Sequence, residues 1–283
     1  MSISILETIN WPGADLNGKR KRTGDDRFGF DEGAGTAWVL DGATDLGPLR
    51  LFETEESDAA WIAEYLNREL MFSPPQPDED ITPYFERILT SLREKAKAAS
   101  KVTIENAPKE VWPIASGMWM RERGEVIEFA WLGDCVALIS PPDGPLEILT
   151  KHEQSELETR TSRELNAMSP EDKLAGLRKI RATQNSDPEH ALFGLSPHAP
   201  SRLSIETRNV PEGTDIILMT DGLWRVVDPY GLMTAEDLVE TVRTYSLVEL
   251  MKQMRRYETE GDQDTLARIK KSDDAAAIHL QIR

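Results

Sequence analysis

The spacing of apolar residues divides the chain into strand-like and helix-like stretches. Alternating or β-branched runs predict strands over "ISILETI" (3–9), "TAWVLDG" (36–42), "ASGMWMRER" (115–123) and "EVIEFAWLGDCVALIS" (125–140). Further strands are predicted over "SRLSIETRNV" (201–210), "TDIILMTDG" (214–222) and "AAAIHLQIR" (275–283). Gly124 in "MRERGEVIEF" marks a hairpin turn, and "SPPDGPLEI" marks a second one. Apolar residues recur at three and four over 55–70 and 81–100, which predicts amphipathic helices. Two more helices are predicted over 234–245, with Thr234 as N-cap and Asp237 in the first turn, and over 247–258.

The order is strands, two helices, strands, two helices, strand. It predicts an α+β fold: a four-layer α-β-β-α sandwich of two stacked antiparallel sheets flanked by helices, with residues 1–283 as one domain. Residues 151–190 depart from this pattern, being highly charged and poor in large apolar side chains. They read as a surface insertion that could serve as a flap, although Ser169 and Pro170 make a good helix start within it.

Composition narrows the class. The 39 % hydrophobic content of 283 residues is enough for a substantial core. A formal charge of −17 repels phosphate backbones and anionic membrane surfaces, so neither nucleic acid nor membrane is an expected partner. No apolar run is long enough to span a bilayer, and "MSISILETINWPG" lacks the features of a secretory signal. The single Cys135 forms no internal disulfide and cannot build a thiolate zinc cage. These features give the expectation of a cytoplasmic protein, taken to be a monomer.

Several familiar motifs fail. "GAGTAW" precedes a strand instead of following one, so it is not a dinucleotide loop. "KHEQSE" has Glu156 where a zincin helix needs its second histidine, and histidines 152, 190, 198 and 279 show no ligand spacing. Cys135 has no histidine in a recognisable motif and reads as a packing residue.

What remains is a set of aspartates beside apolar strands: Asp26 in "TGDDRFGF", Asp41 in "WVLDGAT", Asp134 in "AWLGDCV", Asp221 in "ILMTDGLW" and Asp273 in "KKSDDAAAIHL". A lone Asp-Gly after a strand is most often a turn. If the strands bring these carboxylates to one edge, however, each pair repels by about 4 kcal/mol at about 4 Å and an effective dielectric of 20. Protons, lysines or metal ions can relieve that repulsion. A cluster of hard oxygen ligands is what Mg²⁺ and Mn²⁺ select, and glycine after an aspartate leaves a backbone carbonyl accessible. Two such ions roughly 3.5–4 Å apart acidify a bridging water and polarise a phosphoryl oxygen. The chemistry indicated is metal-assisted hydrolysis of a phosphate ester.

In order and spacing, "DDRFGF", "AWVLDGAT", "EFAWLGDCVALI", "GTDIILMTDGLW" and "SDDAAAIHLQI" resemble the metal-dependent, type 2C protein serine/threonine phosphatases, especially compact bacterial members. The resemblance implies a β-sandwich flanked by helices, two Mg²⁺ or Mn²⁺ ions with a weaker third, and a phosphorylated protein as substrate. It implies that Asp41 bridges the two ions, that the Gly42 carbonyl binds the second, and that Asp221 and Asp273 complete the first. Asp25 and Asp26 correspond to an acidic pair acting mainly through metal-bound waters, and Asp134 to a ligand of the third ion. The phosphate-binding arginine of the family falls on Lys21 in "GKRKRTGDD", with Arg22 or Arg20 one residue away.

The chain also departs from the family. Ala43 stands where many eukaryotic relatives carry a histidine, "GDCV" replaces Gly-Asp-Ser-Arg, and "DDAA" replaces Asp-Asn-x-Thr. The expected activity is hydrolysis of phosphoserine or phosphothreonine by direct attack of a metal-bridging hydroxide, with Asp41, Asp221 and Asp273 as the catalytic core. The substitutions at Val136 and Ala276 motivate one alternative, a catalytically weak member acting as a regulatory protein-binding module; a phosphatase of small phosphorylated metabolites is a third reading.

Overall fold

The computed structural model describes residues 1–14, 18–53, 56–150, 168–260 and 272–283. Two antiparallel sheets stack face to face. One has the order β1 (Ile3–Trp11), β11 (Ala275–Ile282), β10 (Asp215–Met219), β6 (Val136–Ser140), β7 (Glu147–Leu149). The other runs β2 (Arg27–Asp31), β3 (Thr36–Gly42), β4 (Ile114–Arg123), β5 (Val126–Leu132), β9 (Ser204–Arg208), with β8 (Phe193–Gly194) also pairing with β4.

Strand alternation builds three packed layers. Val39, Met118, Phe129, Ile216, Leu218 and Ile278 point between the sheets. Trp38, Leu40 and Trp119, on the opposite face of their strands, pack against α1 (Asp58–Phe72) and α2 (Ile81–Ala99). Ile217 and Met219 pack outward against α5 (Ala235–Thr244) and α6 (Leu247–Glu260). The fold is thus the α+β sandwich that the pattern predicts. The capping box at Thr234 and Asp237 also forms, with Asp237 N donating to Thr234 Oγ1 at 3.1 Å.

β2 and β8 lie outside the predicted runs, the run 201–210 is a strand only over Ser204–Arg208, and two boundary differences bear on the site. The run 125–140 is two strands, because Gly133 takes φ +86° and turns the chain between β5 and β6, leaving Asp134 in the turn. The run 214–222 ends early. Thr220 caps a single helical turn, α4 (Asp221–Trp224), so Asp221 opens a helix and does not terminate the strand.

Residues 151–167 of the insertion, including His152, lie outside the described residues. Its described part carries α3 (Pro170–Ser186), which starts where Ser169 Oγ accepts from Asp172 N at 3.2 Å. This helix docks through polar side chains onto the segment just after Gly42. Arg178 donates to the Leu46 carbonyl at 2.8 Å and Arg181 to the Thr44 carbonyl at 3.2 Å. Asn185 donates to the Trp112 carbonyl at 3.0 Å.

Candidate functional site

Antiparallel pairing places the aspartates together. Arg27 of β2 pairs with Leu40 of β3, and Met219 of β10 with Ala277 of β11. Asp26 and Asp41 therefore sit at one end of their sheet, and Asp221 and Asp273 at the corresponding end of the other. Glycines permit the approach. A Cβ on Gly42 would lie 2.7 Å from the Asp25 carbonyl and 2.8 Å from that of Ala59. One on Gly222 would collide with the Asp274 carbonyl, so no other residue fits there without displacing β11.

Electrostatics show that Asp26, Asp41, Asp134, Asp221 and Asp273 form one group. Burial, followed by Asp26, Asp221, Asp134 and Asp273, holds the Asp41 carboxyl well above the usual carboxylate range. Burial and then Asp274 raise Asp26, against a hydrogen bond from Thr220 that lowers it. That hydroxyl donates to Asp26 Oδ2 at 2.7 Å and accepts from Ala276 N at 3.0 Å, so the β11 backbone fixes its direction. Burial, Asp134 and Asp273 push Asp221 up to about 6, while Arg225 and a carboxyl–carboxyl hydrogen bond with Asp41 pull it back. Asp134 Oδ1 is buried without a hydrogen-bond partner.

Asp25 faces elsewhere. Its carboxylate takes hydrogen bonds from Lys21 Nζ and Ser57 Oγ. Lys21 also pairs with Asp274 Oδ2 at 2.7 Å, and Gly13 N donates to Asp274 Oδ1 at 2.6 Å. The Asp25 amide donates to Asp274 as well, at 2.9 Å. Arg22 is an outer residue, its side chain 83 % exposed and paired with Glu56 at 3.2 Å.

Among the described residues, no three acidic, histidine or cysteine side chains stand as a preformed cage for a metal ion. The donor set nevertheless fits a hard divalent cation. It is all oxygen and buried, the Asp41 and Asp26 carboxyls are raised by burial and by their carboxylate neighbours, and one buried carboxylate oxygen is unpartnered. Cys135 lies beside this group, fully buried, and burial together with Asp41 and Asp134 raises its thiol well above the usual value. Such a thiol is a poor nucleophile. His279 is a packing residue whose ring contacts Asp215 Oδ1 at 2.9 Å.

A family model described as protein phosphatase 2C matches residues 19–269. The chain belongs to that family. Solved phosphatase 2C-like structures share the fold at low identity. The Mycobacterium tuberculosis serine/threonine phosphatase PstP/Ppp is 13 % identical with a TM-score of 0.58, over 100 % of both chains. PppA of Pseudomonas aeruginosa, a regulatory component of its type VI secretion system, is 16 % identical with a TM-score of 0.59, again over 100 % of both. A PstP catalytic domain in complex with two manganese ions is 13 % identical with a TM-score of 0.57, over 99 % of this chain and 98 % of that one. No curated protein matches the sequence closely enough to count as a relative. Membership of the phosphatase 2C family supports metal-dependent serine/threonine phosphatase activity in general terms.

Three residues of this phosphatase 2C site are not evident from sequence patterns. Arg225 donates from Nη2 to Asp273 Oδ2 at 3.0 Å, Asp274 takes Lys21, and Ser57 both caps α1 and binds Asp25. Arg225 had one available signal, its i+4 spacing from Asp221 across a helical turn. Among the described residues, no helix is long and apolar enough to cross a membrane.

Proposed function

We propose that the chain hydrolyses phosphoserine and phosphothreonine in phosphorylated proteins, as a cytoplasmic monomer, with Mg²⁺ or Mn²⁺ held at the Asp41 group. Asp41, the Gly42 carbonyl, Asp221, Asp273 and Asp26 would hold two ions, and Asp134 a weaker third. Bound there, the ions supply an acidified water and neutralise charge on the phosphoryl oxygens. Asp25 acts at one remove, through waters, while anchoring Lys21. Of the two cations assigned to the substrate phosphate, Lys21 already serves two carboxylates, so Arg22 is the freer to turn towards a dianion. Water attacks the phosphorus directly, and Cys135, buried with a raised thiol pKa, forms no phosphoenzyme.

The observation that carries this reading is that Asp41 and Asp221 are each raised by their aspartate neighbours at one end of the sandwich, where the Arg225 guanidinium pairs with Asp273. Asp221→Asn tests it by keeping shape and removing charge. Turnover of an aryl phosphate with Mn²⁺ should fall about 10³-fold, a loss of several kcal/mol of transition-state stabilisation. The rise in melting temperature that Mn²⁺ gives the wild type should shrink in parallel. Near-normal turnover in the variant would make Asp221 a structural turn residue. Tight Mn²⁺ binding by the wild type without any turnover would favour a regulatory binding module.

A further inference from the structure

Arg225 is placed by the same helical turn that presents Asp221. Its amide donates to the Asp221 carbonyl at 3.0 Å, which closes α4 and lays the side chain back over the carboxylates. Nη2 lies 3.0 Å from Asp273 Oδ2 and 3.9 Å from Asp221 Oδ2, and only 16 % of the side chain is exposed. Burial alone would lower the guanidinium pKa, yet Asp273 and Asp221 outweigh it and hold the pKa above its usual value.

Lys21, another basic residue at this end of the sandwich, pairs with Asp25 and Asp274. Arg255 approaches Asp273 only through its backbone carbonyl, and its charge is met by Glu258 at 2.6 Å. Among the described residues, Arg225 is therefore the cation in ion-pair contact with the Asp41 group. Its partner oxygens belong to two of the carboxylates assigned to a divalent ion. A carboxylate oxygen aimed at a guanidinium is not free to approach a metal at about 2.1 Å, and the two positive charges repel across a poorly solvated space.

We propose that Arg225 is a built-in counterion that competes with the divalent cation for Asp273 and Asp221, so that the guanidinium must leave these carboxylates before the metal binds tightly. This rests on the metal-site reading above and adds a regulated step to it. The protein without metal gains one countercharge for Asp273 and Asp221, and its affinity for metal is lowered in return.

The test is calorimetric titration of Mn²⁺ into the wild type and Arg225→Met, beside thermal melts of both without metal. Arg225→Met should bind Mn²⁺ about tenfold more tightly and melt lower than the wild type when metal-free. A residue that merely packed would lower the melt and leave the affinity unchanged or weaker. An affinity equal to or below that of a Mn²⁺-binding wild type would overturn the counterion role and leave the metal-site reading standing. Absence of binding in both proteins would overturn both. If Arg225→Met does not fold, NMR on the ¹⁵N-labelled wild type decides the matter. The Arg225 side-chain Nε–H signal should move and exchange faster with water as Mg²⁺ saturates the protein, and an unchanged signal would overturn the proposal.

Discussion

Asp25 and Asp26 are adjacent in the chain and equally buried, at 1 % exposure each, yet they live in opposite electrostatic settings. Asp25 belongs to a closed network in which Lys21, Ser57 and the Gly13 and Asp25 amides give every carboxylate oxygen of Asp25 and Asp274 a donor. Asp26 belongs to an open one, where burial and neighbouring carboxylates raise its pKa and one hydroxyl opposes them. A closed network stabilises a fold without outside help. An open one is tolerated only where an external charge completes it, so the contrast separates residues that hold the site from residues that hold a ligand.

The sharpest way to break this contrast is to remove the cation from the closed side. Lys21→Met leaves two buried carboxylates unpaired and should cost about 3–5 kcal/mol in a urea melt, with or without Mn²⁺. A cost below about 1 kcal/mol would show that water reaches the network.

A smaller effect compares the neighbours directly. Asp25→Asn should lower the stability of the metal-free protein by about 1–3 kcal/mol and leave most of the Mn²⁺ affinity. Asp26→Asn should leave stability unchanged or raised, since an amide oxygen still accepts from Thr220, while Mn²⁺ affinity falls at least tenfold. The reverse pattern would exchange the roles of the two residues.

The smallest effect is a pH dependence. Asp221 in the folded protein titrates at about 6 against an ordinary value of 3.8, through burial, then Asp134 and Asp273. The folded state thus keeps a proton that the unfolded chain loses, so this group's contribution is intact below about pH 4 and is lost as pH rises through 6. Without metal, the wild type should lose on the order of 1–2 kcal/mol relative to Asp221→Asn between pH 4 and 7. A difference that is flat with pH would place the Asp221 carboxylate in water.

Most strands and helices were legible because buried faces impose periods of two and 3.6, whereas β2 and β8 are too short to show a period. The boundaries at 133 and 220 were not. Gly133 sits inside an apolar run whose turn depends on a positive φ, and Thr220 reads as a strand residue until Ala276 and Asp26 fix its hydroxyl. The aspartates proposed as metal ligands stood out by their position beside apolar strands. The roles of Asp25 and Asp26 did not, since two adjacent carboxylates look alike in sequence and differ only by which neighbour the tertiary fold brings. Arg225 was hidden for the same reason, because its partner Asp273 is 48 residues away along the chain.

The place of β11 between β1 and β10 carries a kinetic consequence. Ile3 pairs with Ile282, so this sheet closes only after the longest loop in the described chain has been gathered. Contacts of such long sequence separation form slowly and late. The β2–β3–β4 hairpins that carry Asp26 and Asp41 need only local closure, whereas Asp273 arrives with β11. Half of the proposed ligand set is thus expected early and the other half last. A divalent ion therefore has little to grip in a half-folded chain. An ion bound at the proposed site would act on the finished molecule, by slowing its unfolding, and not as a folding template.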